Sequence, residues 1–215
     1  MTGPAGFIAA QTRLARTALV PEIVLHLADA ITPIWQASEE WLATRNIEPP
    51  FWAFAWPGGQ ALARYVLDHP GLVAGRRVLD FAAGCGLAAI ACAQAGAARV
   101  EAADIDPLAA AAIALNAAAN GAAVEVIAAD LVGTRCRWDI VLCGDVCYEA
   151  PMTRHILPWL RCLAGTAEVW IADPGRAYLP AEGLVALARI AVATTTELED
   201  RTERTVTLFR LQPTA

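Results

Sequence analysis

The chain has 215 residues, which suits one domain or one domain with an extension at its front. Its 16 basic residues are all arginine and stand against 22 acids, a formal charge of −6. A clustered basic face for gripping nucleic acid is therefore not expected. Apolar residues make up 57 % of the chain, and the 48 alanines account for this. The most alanine-rich run, Leu108 to Ala119, carries Asn116 and falls short of the ~20 apolar residues of a membrane span.

These features predict a soluble globular protein with no membrane contact. No secretory signal is read at the front, and the first 21 residues hold Arg13 and Arg16 but no acid. They read as a short amphipathic helix rather than as a transit peptide. The cysteines are Cys85, Cys92, Cys136, Cys143, Cys147 and Cys162; they form no C-x-x-C pair, and His26, His69 and His155 stand apart from them. No metal site is expected. The cysteines lie in apolar runs, which predicts reduced thiols in a cytoplasmic protein.

In chain order, Phe7 to Thr17 and Ile34 to Leu42 read as helices, as does Pro57 to Leu67 with proline in its first turn. Between the last two, Pro49 to Trp56 packs four aromatics into eight residues. Residues 1–75 form an extension that can cap the carboxyl edge of a sheet, where ligands bind in open α/β folds. From 76 to 215 the pattern changes. Strands are expected at Arg76–Phe81, Arg99–Asp104, Val124–Ile127, Trp138–Cys143 and Glu168–Ala172. Helices are expected at Leu87–Ala95, at Pro107–Ala119 and near Thr153–Cys162. Ile190–Leu198 and Thr205–Leu211 read as an antiparallel hairpin joined by the polar run Glu199 to Arg204. The expected fold class is α/β: a Rossmann-like sheet of seven strands, mostly parallel, with a C-terminal antiparallel hairpin and helices on both faces.

The chemistry concentrates at the strand ends. Asp80-Phe81-Ala82-Ala83-Gly84-Cys85-Gly86 follows the first of these strands and precedes a helix, so backbone and free helix N–H groups can meet a ligand. Gly84 to Ala89 also satisfies the relaxed dinucleotide pattern G-x-G-x-x-A. Asp80 separates the two readings: a carboxylate there repels a pyrophosphate but holds the ammonium of a methionine moiety. S-adenosylmethionine is accordingly favoured over NAD or FAD. Asp104, at the end of the second strand, can accept both ribose hydroxyls, while Asp106 before Pro107 reads as a helix cap. Asp130-Leu131, after the third strand, can reach the adenine amine. Alanine at 82 disfavours positive φ, so the turn is expected to be made by Gly84 and Gly86. After the fourth strand comes Gly144-Asp145-Val146-Cys147-Tyr148. The carboxylate can attract a cationic amine and the phenol ring can orient it; an amide or ring-nitrogen acceptor would suit an Asn-Pro-Pro-Tyr type loop instead.

Those residues resemble the class I, seven-strand S-adenosylmethionine methyltransferases, and within them the lysine-specific group marked by an acid-x-x-Tyr/Phe motif. Here the motif is Asp145-Val146-Cys147-Tyr148. More narrowly, Pro49 to Gln60, Gly144 to Glu149 and Asp173 to Pro180 resemble the bacterial form of the electron-transfer-flavoprotein β-subunit lysine methyltransferase family. The resemblance implies Asp145 and Tyr148 as catalytic residues. It implies Trp56, Asp80, Gly84, Gly86, Asp104, Ile105, Asp130, Leu131 and Asp145 as cofactor-binding, with Trp56 beside the methionine end. S-adenosylhomocysteine would be the product and the flavoprotein β subunit the partner. The glycine loop and Asn116 to Asn120 also resemble the ribosomal-protein L11 methyltransferases, whose loop after the fourth strand is of the Asn type. Other readings are a methyltransferase of a small amine such as nicotinamide, with Phe51 to Trp56 as its lid, and a non-catalytic binding protein.

Overall fold

Alternating side chains along each strand send residues to opposite faces of a sheet, and here both sets are apolar. The computed structural model describes residues 3–28, 49–195 and 199–213. Its elements are α1 (Pro4–Gln11), β1 (Arg13–Ala15), β2 (Leu25–Leu27), α2 (Pro57–Asp68), β3 (Arg77–Phe81), α3 (Leu87–Gln94), β4 (Arg99–Asp104) and α4 (Pro107–Ala119). They continue with β5 (Glu125–Ala128), β6 (Ile140–Gly144), α5 (Ala150–Leu163), β7 (Glu168–Asp173), β8 (Leu184–Ala193) and β9 (Glu203–Leu211). Short 3-10 turns occupy Phe51–Ala53 and Pro70–Leu72.

The large sheet has seven strands in the order β5-β4-β3-β6-β7-β9-β8. β3 to β7 pair in parallel, whereas β9 runs antiparallel to both β7 and β8. Val78, Ile140, Leu142 and Trp170 face α2, α3 and α4; Leu79, Val141, Cys143, Val169 and Ile171 face α5. The expected mixed sheet with its C-terminal hairpin is therefore present. The order reverses between β3 and β6, so the carboxyl ends of these strands flank a crevice, the usual ligand position in such sheets.

Several element boundaries differ from the sequence reading, each for a local reason. The expected helix Phe7–Thr17 ends at Gln11, because the Thr12 hydroxyl donates to the Ile8 carbonyl at 2.7 Å and Thr12 turns extended. Residues 13–15 then pair antiparallel with 25–27. The helix expected at Ile34–Leu42 lies outside the described residues. β8 begins at Leu184, six residues before the expected Ile190, and ends at Ala193. Pairing with β9, through Leu184↔Leu211 and Val185↔Arg210, imposes strand on an alanine-rich stretch of weak β preference.

The first helices and turns pack on the sheet's helical layer rather than standing apart. Ile8, Trp52, Ala53 and Phe54 form one apolar cluster with Ala109 and Ala112 of α4. Asn116 and Asn120, one turn apart on α4, pin β2 to that helix. Asn116 Oδ1 accepts from His26 N–H at 2.7 Å while its amide donates to the Cys85 carbonyl at 2.8 Å. Asn120 Oδ1 accepts from Val24 N–H at 2.9 Å. The chain before α2 is thereby tied to the glycine loop.

All six cysteines are free thiols. Burial pushes Cys85 and Cys147 up to about 12, and raises Cys92 and Cys143 well above the ordinary thiol value, so these four are inert. Cys136 is half-buried against the apolar cluster under α5, whereas the expectation of apolar surroundings fails for Cys162, which is exposed.

Candidate active site

Two strand ends, two helix starts, the glycine loop and an aromatic turn enclose an open cleft of about 390 Å³, counting its mouth. Asp80 of β3, the loop Ala82 to Cys85, Leu87 and Ala88 form one side; Phe54, Ala55, Trp56, Gly59 and Gly144 form the other. The sequence places each of these at a carboxyl strand end or a helix N-terminus.

Asp80 is 3 % exposed, and its Oδ2 accepts from Ala89 N–H in the first turn of α3 at 2.9 Å. Burial pushes its carboxyl up to about 7; the Ala89 bond opposes this and the neighbouring Asp104 adds to it. A carboxylate in this position is stabilised by a cationic group entering the cleft. Asp104 ends β4 and is occupied by the loop: Oδ2 accepts from Gly84 N–H at 2.9 Å and Oδ1 from Asp106 N–H at 3.0 Å. Burial raises its carboxyl, and those N–H groups limit the rise. Asp106 caps α4 through Leu108 N–H at 2.8 Å, as expected.

The glycine loop differs from the reading in one respect. Gly84 and Gly86 have positive φ, but so does Ala82, at +54°. The tight turn between β3 and α3 forces alanine into the left-handed region, at a cost of ~1–2 kcal/mol. Ala82→Gly is therefore expected to raise stability by about 0.5–1 kcal/mol net of the added unfolded-state freedom, checked by urea unfolding. A side-chain carbon added at Gly84 would meet nothing within 4 Å, so the loop leaves open space on its cleft side.

Ile105, next to Asp104, is a large apolar side chain left 75 % exposed. Asp130 is engaged elsewhere than expected. Its Oδ1 accepts from Val132 N–H at 2.9 Å and its Oδ2 lies 2.8 Å from His155 Nε2 on α5. Burial works to raise its carboxyl, but Val132 and His155 hold it below the ordinary value. Leu131 is buried under α5 with Trp138 and Trp159.

Asp145 is the most constrained residue of the site. It is 8 % exposed, has φ +56°, and donates its N–H to the Ala172 carbonyl at 3.0 Å. Its Oδ2 accepts from Gly58 N–H at 2.5 Å, so a carboxylate 87 residues away caps α2, whose own N-cap Trp56 makes no side-chain cap. This contact needs both Gly58 and Gly144. A side-chain carbon at Gly58 would lie 2.5 Å from Asp145 Oδ2, and one at Gly144 would lie 2.8 Å from Gly59 N. Asp145 Oδ1 accepts from Arg176 Nη2 at 2.6 Å and Nε at 3.1 Å. Burial pushes the Asp145 carboxyl up to about 6 against the pull of Arg176 and Gly58. The carboxylate is thus a fixed, shared charge rather than the free attractor that the sequence suggested.

Tyr148 stands 40 % exposed at the mouth, its ring 5.5 Å from that of Phe51. Burial raises its phenol above the ordinary value. Trp56 packs edge-on against Phe51 and Phe54, and donates its indole N–H to the Phe51 carbonyl at 2.8 Å. Because Trp56 lines the cleft, cofactor titration is expected to quench tryptophan fluorescence clearly in the parent and much less in Trp56→Phe. The structure also recruits Gly58, Arg176, Glu199 and His155, to which the sequence reading gave no role. The Gly58-Gly59 pair after Pro57 was a legible sign of close backbone approach. Nothing in the sequence ties Glu199 to this site. Among the described residues no cluster of His, Cys, Asp and Glu could hold a metal ion.

The residues fit S-adenosylmethionine: a buried carboxylate borders the cleft, and the glycine loop leaves room above Gly84. Comparison with known proteins agrees. The ribosomal protein L11 methyltransferase (PrmA) family model matches residues 61–145, the cofactor half of the sheet. The electron transfer flavoprotein beta subunit lysine methyltransferase of Xenopus laevis is 36 % identical over 221 residues, 99 % of this chain and 88 % of that protein. The protein of the same name from Danio rerio is 39 % identical over 176 residues, 80 % of this chain and 67 % of that one. In fold, the chain is similar to magnesium protoporphyrin IX methyltransferase from Synechocystis PCC 6803 with bound SAM, at TM-score 0.53 and 22 % identity over 71 % of this chain and 79 % of that one. The chain is an S-adenosylmethionine-dependent methyltransferase and belongs to the electron transfer flavoprotein beta subunit lysine methyltransferase family.

Proposed function

We propose that the chain transfers methyl groups from S-adenosylmethionine to lysine of the electron transfer flavoprotein β subunit. The observation that carries this reading is the open, aromatic-walled acceptor side next to Asp145, in a chain 36 % identical to a protein so named over nearly its whole length. Asp80 would hold the methionine ammonium, the loop through Gly84 and Gly86 would receive the methionine portion, and Asp104 and Ile105 would flank the ribose and adenine. Trp56 would wall the methionine end, and Asp130 and Leu131 would border the adenine side. When bound, the cofactor supplies an electrophilic methyl on a sulfonium.

The chain's own residues deal with the acceptor. Lysine arrives as an ammonium with pKa about 10.4 and must be neutral to attack, so the site has to receive a cation and then hold an amine. Asp145, with Phe51 and Tyr148, provides negative charge and aromatic faces for the first task. Tyr148 provides a wall for the second. Asp145 is a poor base for this proton, even with its carboxyl at about 6, so solvent at the open mouth takes the proton.

A small-amine acceptor would call for a lid. Trp52, Ala53 and Phe54 are instead buried against α4, which makes the middle of the aromatic run a packed wall. The described residues of 1–75 serve in this reading as a cap on the methyltransferase domain of 76–215. No described helix is long and apolar enough to cross a membrane, and we place the reaction in the cytoplasm, away from membranes and nucleic acid. Parallel incubations with the purified flavoprotein β subunit, ribosomal protein L11 and nicotinamide test the assignment. Labelling of the flavoprotein subunit at least about tenfold faster than the other two is expected, the scale of a 1.4 kcal/mol difference in transition-state binding. Faster labelling of either alternative would overturn it.

A further inference from the structure

Arg176 lies between two buried carboxylates that come from distant parts of the chain. Toward the site it forks onto Asp145 Oδ1, at 2.6 Å from Nη2 and 3.1 Å from Nε. On the other side its Nη2 meets Glu199 Oε1 at 2.5 Å and its Nη1 meets Glu199 Oε2 at 3.2 Å. Glu199 is 4 % exposed and is held in turn by Arg204 Nε at 3.1 Å. The Arg176 backbone is fixed as well, because Asp173 Oδ1 accepts from Gly175 N–H at 2.7 Å and Arg176 N–H at 2.6 Å. The guanidinium carbon also lies 5.9 Å from the Trp56 ring centre, in reach of a cation–π contact.

The planar fork of arginine makes two parallel bonds to the two oxygens of Glu199, which fix its plane, and from that plane Nε and Nη2 converge on the single oxygen Asp145 Oδ1. Seating on Asp145 fixes the carboxylate whose other oxygen caps α2, the helix that begins right after Trp56. One guanidinium therefore sets the place of the acceptor-side acid, while its contact with the Trp56 ring is a distant one at 5.9 Å. Glu199 takes a share of the Arg176 charge, so that Asp145 keeps negative character, and Arg204 balances the second carboxylate.

We infer that Arg176, backed by Glu199, is a positioning residue for methyl transfer, holding Asp145 in the geometry that presents the acceptor nitrogen to the cofactor. This rests on the lysine methyltransferase reading above. The inference predicts a defect in kcat rather than in assembly of the cofactor cleft, because Arg176 does not line that cleft. Arg176→Lys keeps the charge and loses the fork; it is expected to lower kcat about tenfold or more, with KM for the flavoprotein subunit and cofactor Kd within about threefold of the parent. Arg176→Ala is expected to lose more, and millimolar guanidinium to restore part of the rate.

Parent-level kcat in Arg176→Lys, or a loss confined to KM, overturns the inference. If Arg176→Ala does not fold, Arg176→Lys decides alone. A substrate-free readout separates this outcome from failure of the function itself: carboxyl NMR titration of Asp145 in the parent and in Arg176→Lys. The groups facing that carboxyl are Arg176, Glu199, the Cys147 thiol and the Gly58 N–H. A rise in the Asp145 midpoint supports the clamp, and an unchanged midpoint contradicts it. A parent enzyme inactive on the flavoprotein subunit, with the Asp145 midpoint still moving, would instead sink the assigned substrate.

Discussion

Asp145→Asn is expected to give a folded protein that binds cofactor but transfers methyl about 10²-fold more slowly. Asparagine tolerates the positive φ of this position and keeps one oxygen to accept a hydrogen bond, but carries no charge toward an ammonium. Asp145→Ala is a different experiment. It removes the cap of α2 and leaves Arg176 with Glu199 as its remaining carboxylate, inside a network where Asp145 is 8 % and Glu199 4 % exposed. Because Arg176 keeps Glu199, the loss is less than that of a fully unpaired buried charge, on the order of 1–3 kcal/mol for the lost charged hydrogen bonds, and alanine in the left-handed region adds to it. Asp145→Ala is therefore expected to lose stability as well as activity. Urea unfolding beside single-turnover kinetics separates the two variants. Full activity in Asp145→Asn would remove the charge from the account.

The second large effect concerns Asp80 and pH. Burial pushes its carboxyl up to about 7 from an ordinary 3.8, so between those values the folded ligand-free protein holds a proton that the unfolded chain has lost. Its contribution to stability is therefore fully present below the ordinary value and is lost as pH rises through 7. Cofactor binding should show the opposite trend, because the ionised carboxylate is the form that pairs with an ammonium. Affinity for S-adenosylmethionine is expected to fall by up to about tenfold per pH unit below 7, and this dependence should vanish in Asp80→Asn, which binds weakly throughout. Calorimetric titration at about pH 5.5, 6.5 and 8 checks it. A pH-independent affinity in the parent would mean that Asp80 does not meet the ammonium.

Much of this architecture is written in local pattern. Asp106-Pro107 and Asn120-Gly121 bracket α4, and the expected span Pro107–Ala119 is the observed one. β4 likewise spans Arg99–Asp104 as read. Errors arose where a distant partner overrides local preference. Leu184 to Arg189 becomes strand because β9 pairs with it, and the helix at the front ends early through a threonine back-bond and the β1–β2 pairing.

The site divides in the same way. Asp80 and Asp104 lie at the carboxyl ends of their strands and Asp130 and Asp145 follow theirs, so topology alone brings them to one edge. Which partners occupy them was not legible. Asp130 turns to His155, 25 residues on, and Asp145 to Gly58 and Arg176, 87 and 31 residues away. Nor was Ala82 legible as a left-handed residue: propensity opposes it, and only the closure of the β3–α3 turn requires it.

The methylation of lysine in the flavoprotein β subunit proposed above, with Asp145 at the acceptor, leaves a product that can be weighed. Its most direct test is the intact and peptide mass of purified flavoprotein β subunit after incubation with S-adenosylmethionine and either the parent or Asp145→Asn. The account predicts mass gains of whole methyl groups, localised to lysine, with the parent and almost none with Asp145→Asn. An unmodified subunit after complete incubation with the parent, or methyl groups on residues other than lysine, would contradict it.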